Sequence, residues 1–133
     1  MPAYNAQGFE PPAPVAMVTL RTQDGQKSIS EVPMQIDSAA DGSLLPESSV
    51  RRLGLEILGD AEFQLTAFDG NESDARFVQC DLLFLRRVFR GRFLVMENTP
   101  GILGRDVLNH FSLVLDGPRL HWREEHSAGD SEV

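Results

Sequence analysis

The segment MQIDSAADGSLLPESSVRRLGLE, Met34 to Glu56, changes character twice. An apolar, strand-like run ends at a carboxylate, Asp37. Ser38, Ala39 and Ala40 follow, then a second acid, Asp41, and a turn. LPESSVRRLGL then breaks the β pattern. Pro46 suits a first helical turn, Glu47 favours a helix N-terminus, and Gly54 suits the position just past the end. A short helix of about two turns is expected there. A lone acid at a strand end is ordinarily a turn former or a helix cap. The small residues beside Asp37 leave that reading open until the rest of the chain is read.

Upstream, PVAMVTLRT (14–22) alternates as a strand, Asp24-Gly25 marks a hairpin turn, and KSISEVPMQID (27–37) returns. Downstream, AEFQLTAF (61–68) reads as a strand, FDGNESDA as a polar loop, and ARFVQCDLLFLRRVF as a long strand with a bulge. Arg90-Gly91 is expected to form the next turn before RFLVME. Arg105 to His110 forms a short helix, and two last strands flank Asp116-Gly117-Pro118. A hairpin, a short buried segment and a short helix thus occur twice, at 14–54 and 76–110. Many short strands with few helices predict an all-β fold, a small barrel or sandwich.

The 133 residues suit one domain with a modest core. Residues 1–14 hold four prolines and read as an extended arm. The domain proper is expected over 15–124, with a flexible tail at 125–133. No apolar run reaches the roughly 20 residues of a membrane span, and the N-terminus lacks the pattern of a secretory signal. A cytoplasmic location is expected. The net charge of −8 argues against nucleic acid as a partner. The basic cluster Arg86, Arg87, Arg90 and Arg92 reads as the solvated face of a hairpin. Cys80, the single cysteine, reads as a small buried hydrophobe. His110, His121 and His126 lack metal-ligand spacing, and no cofactor is expected. No serine sits in a nucleophile-elbow context.

IDSAADGSLLP (36–46) resembles the active-site loop of the retropepsin-like aspartic proteases, in which an apolar residue precedes Asp-Thr/Ser-Gly-Ala-Asp. A second landmark of that family, an apolar pair before Gly-Arg-Asp/Asn and another apolar pair, stands here as Ile102-Leu103-Gly104-Arg105-Asp106-Val107-Leu108. Both occur in order, and the resemblance spans roughly 15–120. It implies a small closed acid-protease β-barrel with a flap hairpin. It also implies peptide hydrolysis by a water held between two aspartates. One chain supplies one such loop, so the resemblance implies a homodimer with Asp37 of each copy at the two-fold axis.

By the same resemblance Ser38 bonds across the axis, Ala40 leaves room for substrate backbone, and Asp41 pairs with Arg105 as a buried or partly buried pair. Gly104 permits close packing behind the loop, and Asp106 is structural. Phe68, Asp69, Gly70 and Asn71 form the flap tip. Leu44, Leu45 and Ile102 are apolar pocket candidates for a peptide or unfolded-protein substrate. The N-terminal arm or the strand around Leu120 to Arg123 is the candidate for interleaving between copies. A dimer carries −16 (2 × −8), which weakens association at low salt. One departure stands out. Ala39 replaces the family glycine; it adds a β-carbon beside the place where the family's substrate backbone lies, and strains the loop if that position needs a positive φ. The alternative it raises is a proteolytically silent peptide-binding or dimerisation module of the same fold.

Overall fold

The computed structural model describes residues 2–66 and 72–126, with side chains described outside positions 60–75. The strands are β1 (Tyr4–Asn5), β2 (Ala13–Arg21), β3 (Ser28–Ile36), β4 (Leu44–Pro46), β5 (Leu58–Thr66), β6 (Glu72–Phe84), β7 (Arg87–Met96), β8 (Gly101–Leu103), β9 (Leu113–Asp116) and β10 (His121–Glu124). Two short helices are α1 (Glu47–Leu53) and α2 (Arg105–Leu108). No helix among the described residues is long and apolar enough to cross a membrane.

β2 and β3 pair antiparallel around the Asp24-Gly25 turn, where Gly25 takes the left-handed φ of 74°. Asp24 Oδ1 accepts the Gln26 N–H, and Thr22 Oγ1 donates to the same oxygen. The strands run β2-β3-β8-β4-β7-β6, and β6 returns to β2 to close a barrel. β3 runs parallel to β8, β4 runs parallel to β7, and β4 meets β8 antiparallel. The repeated hairpin and helix of the sequence are therefore two interlocked halves. Alternate residues of each strand fill the interior: Ala16, Val18 and Leu20 of β2, Val78, Cys80, Leu82 and Phe84 of β6, Phe93 and Val95 of β7. Each fully buried Val or Leu contributes about 1.5–3 kcal/mol. Cys80 is buried as expected, and burial pushes its thiol up to about 12.

α1 keeps the expected boundaries with one refinement. Pro46 stands at the N-cap with extended backbone, one residue before the first helical turn. Gly54 ends the helix in the left-handed region at φ 82°, its N–H reaching the Arg51 carbonyl. The expected turn at Arg90-Gly91 is corrected. Those residues lie inside β7, and the turn is Leu85-Arg86. A two-residue hairpin turn of type I′ requires positive φ at both positions, hence the usual Asn-Gly, and here Leu85 (49°) and Arg86 (67°) adopt it without glycine. The strain, about 1–2 kcal/mol per residue, is offset by a register running from Phe77–Leu94 to Phe84–Arg87.

That register sets Asp81 opposite Arg90, while the β2–β6 closure sets it opposite Arg21. Asp81 is completely buried. Its oxygens take Arg90 Nε at 2.9 Å and Arg21 Nη2 at 2.9 Å. Arg92 lies over the Phe77 ring, 4.6 Å from its centre, and Arg87 approaches Phe89 and Phe111. Much of the basic cluster is thus spent on contacts within the chain.

The N-terminal residues fold back onto their own barrel. β1 pairs with Pro14 and Ala13 of β2, and Ala3 bridges to His121. The Tyr4 N–H reaches the Leu120 carbonyl, and the Trp122 N–H reaches that of Pro2. The buried Trp122 indole donates to the Val15 carbonyl at 3.1 Å. The two segments expected to interleave between copies are here partners of each other.

Candidate active site

β8 lies between β3 and β4, so the connection from β3 to β4, residues 37–43, must cross the end of β8. The crossing explains the small residues. A Cβ on Gly104 would sit 2.6 Å from the Gly42 carbonyl oxygen and 3.0 Å from that of Ala40. Backbone conformation is not the reason for this glycine, since Gly104 is extended at φ −98°, ψ −174°. Gly101 is tight in the same way, its would-be Cβ lying 2.5 Å from the Leu44 carbonyl oxygen. We expect Gly104→Ala to lift the loop off β8 and cost about 1–3 kcal/mol, read as a lower melting temperature.

Asp37 continues the β3–β8 ladder, its N–H donating to the Leu103 carbonyl at 3.0 Å. Its side chain stands half-exposed at the loop's start, where Oδ1 accepts the Ala39 N–H at 3.0 Å. The Ala40 N–H closes the turn onto the Asp37 carbonyl at 3.2 Å. α2 then holds the loop from below. The Arg105 and Asp106 N–H groups donate to the Ala40 and Asp41 carbonyls at 2.9 and 3.2 Å. Arg105 Nη1 reaches the Ser38 carbonyl at 2.6 Å, and Nη2 binds the Asp41 carboxylate.

The Asp41–Arg105 pair forms as expected, but its burial does not. The Asp41 side chain is 94% exposed in the single chain, where such a pair contributes little. Ser38 and Ala39 are exposed and Ala40 half-buried. Ala39 is not among the residues with positive φ, so alanine fits this loop without the strain a left-handed position would impose.

Ser43 is the residue that motif reading missed. It is buried, its hydroxyl donates to Asp106 Oδ1 at 2.7 Å, and its N–H donates to Oδ2 at 3.0 Å. The same hydroxyl accepts the Gly104 N–H at 3.0 Å. This clip ties the end of the loop to the start of α2 and gives Asp106 its structural work. The signal available was a small hydroxyl residue next to Gly42, closing a loop that the Gly-Arg-Asp segment had to meet.

Leu44 and Ile102 are neighbours across β4 and β8 and half-buried, so both reach the surface beside the loop. Leu45 is fully buried and backs that surface from the core. The flap tip expected at Phe68, Asp69, Gly70 and Asn71 lies outside the described residues. The strands on either side of it pair antiparallel, with Thr66 opposite Glu72 and Leu58 opposite Phe77. A cavity of about 750 Å³ lies elsewhere, between the N-terminal residues, Val15, Phe84 and Trp122. No cluster of metal-ligating side chains occurs among the described residues.

No protein-family model and no curated protein sequence matches the chain. Among solved structures it is similar to EIAV protease complexed with the inhibitor HBY-793. The identity is 20%, the TM-score is 0.56, and the match covers 80% of this chain and 91% of that one. The closed barrel, the loop carried over β8 and this likeness together give the chain the retropepsin-like fold of the retroviral proteases.

Proposed function

We propose that the chain is one half of an aspartic endopeptidase, completed when a second copy brings its own Asp37 to the first. The observation that carries this reading is the placement of Asp37. A half-exposed carboxylate opens a loop fixed by α2, Arg105 and the Ser43–Asp106 clip. Such a fixed loop presents its carboxylate at one position and does not spend binding energy on ordering it.

In the dimer, two carboxylates at hydrogen-bond distance share one proton, because both cannot ionise cheaply so close together. The ionised member takes a proton from a water between them. The protonated member bonds the scissile carbonyl oxygen as negative charge develops there. Leu44 and Ile102 offer apolar surface for the side chains flanking the cut. Substrates are extended peptides or unfolded protein.

The test is digestion of an unfolded protein at mildly acid pH by the parent chain and by Asp37→Asn. Cleavage by the parent alone supports the reading, and indistinguishable digests sink it. The silent-module alternative rests on Ala39; the backbone there is not at positive φ, which leaves only the added β-carbon beside the substrate backbone as its ground. We accordingly expect Ala39→Gly to cleave at a rate similar to the parent. A large gain in the glycine variant, measured on the same peptide, would restore that alternative.

A further inference from the structure

The cavity of about 750 Å³ between the N-terminal residues and the barrel shares no residue with the Asp37 loop. Val15, Phe84 and Trp122, all buried, form its apolar back, and the two rings stand 5.9 Å apart. Met17 adds an exposed apolar rim. A concave apolar site of this size with few polar groups is what small-molecule ligands require. Among the described residues, Glu31 is the single charged side chain lining it.

The backbone brings Glu31 there at a cost. Val18 pairs with Val32 but Leu20 pairs with Ile29, so β3 carries one residue more than β2 at this point. Glu31 stands in that bulge in the left-handed region, at φ 59°. Glycine or asparagine adopts this conformation readily, and glutamate does not. Bulges re-aim side chains, and strained residues cluster where a ligand is held. Glu31 is exposed and makes no ion pair among the described residues. Its carboxylate is therefore available to a ligand. The net charge of −8 further attracts cations and repels anions.

We infer that this cavity binds a small organic cation, an ammonium group carried on an apolar body. The ammonium meets Glu31, and the apolar body lies against Val15, Phe84 and Trp122. A ligand with a carboxylate or phosphate would bring like charge to Glu31, and a neutral ligand would gain burial alone. Tyr4 and Asn5 line the same cavity from the N-terminal side. A bound cation therefore touches the arm and the barrel together and holds the arm in place. The inference is independent of the protease reading, because Asp37 and its loop take no part in it.

Trp122 is the single tryptophan of the chain, so its emission reports on this cavity. The probes are 4-phenylbutylammonium, 4-phenylbutanol and 4-phenylbutyrate, one apolar body with three head groups. Titration should shift the Trp122 emission, with the ammonium bound about fivefold more tightly than the alcohol and the carboxylate weakest. Glu31→Gln, at an exposed position, should keep its fold in a thermal melt. It should bring the ammonium to within about twofold of the alcohol. Saturating ammonium should raise the melting temperature of the parent more than that of Glu31→Gln. Asp37→Asn should bind all three probes as the parent does.

Equal affinity for the three head groups in the parent overturns the inference. So does an ammonium preference that survives in Glu31→Gln. Trp122 emission unmoved by every probe overturns the cavity as a binding site. Each of these outcomes leaves Asp37-dependent cleavage standing, and loss of that cleavage reading leaves the cation site standing.

Discussion

Replacing Asp37 by Asn should reduce cleavage of an unfolded protein by about 10²–10⁴-fold, the range for a positioned acid–base group. Both members of the proposed dyad are lost together, because each copy carries the same change. The fold should survive. Asp37 is half-exposed, and its bond to the Ala39 N–H can be made equally by the amide oxygen of Asn. Stability should move by no more than about 0.5 kcal/mol. A thermal melt beside the digest separates a dead site from an unfolded chain. The parent's pH–rate profile should be bell-shaped, since catalysis needs one carboxylate ionised and one protonated. A flat profile through the acid range would contradict a shared-proton dyad.

The largest stability effect should come from the outside of the barrel. Asp81→Ala leaves Arg21 and Arg90 without the carboxylate they share across three strands. Removing one member of a buried ion pair typically costs about 3–5 kcal/mol, enough here to lower the melting temperature by about 10 °C or more. Arg90→Ala should cost much less, because Arg90 is mostly exposed and Asp81 keeps Arg21. The same carboxylate predicts an acid limit. Bonds from Arg90, and then from Arg21, hold the Asp81 carboxyl below its ordinary range against the opposing effect of burial. A depressed folded-state pKa means that its stabilisation is fully present above the unfolded value, near 3.9. It is lost as pH falls through the folded value. The parent should therefore tolerate mildly acid assay conditions and lose stability steeply only below them. In Asp81→Asn that steep acid-side loss should shrink, measured by denaturation at a series of pH values.

Much of this was legible in the residues. Asp24-Gly25 and Gly54 announce a turn and a helix end because left-handed backbone is cheap for glycine. The Asp37 loop and Gly104-Arg105 could be linked before the structure only because both landmarks of the resembled family stand in order along the chain. The Leu85-Arg86 turn was not legible. Its residues have no turn preference, and the cross-strand seat of Asp81 overrides the local Arg90-Gly91 signal. Ser43 was hidden for a related reason: its three hydrogen bonds join positions more than 60 apart, which no local pattern encodes. The exposure of Asp41 was misjudged because a pairing motif says who meets whom and nothing about water.

Because β8 fills the gap between β3 and β4, the loop bearing Asp37 has no floor until residues 101–103 arrive. Synthesis runs from the N-terminus, and pairings of such long separation close late. A growing polypeptide therefore displays its aspartate long before it can hold it still. On the proposed reading, the centre stays unassembled on the ribosome until residues 101–103 have been made and paired.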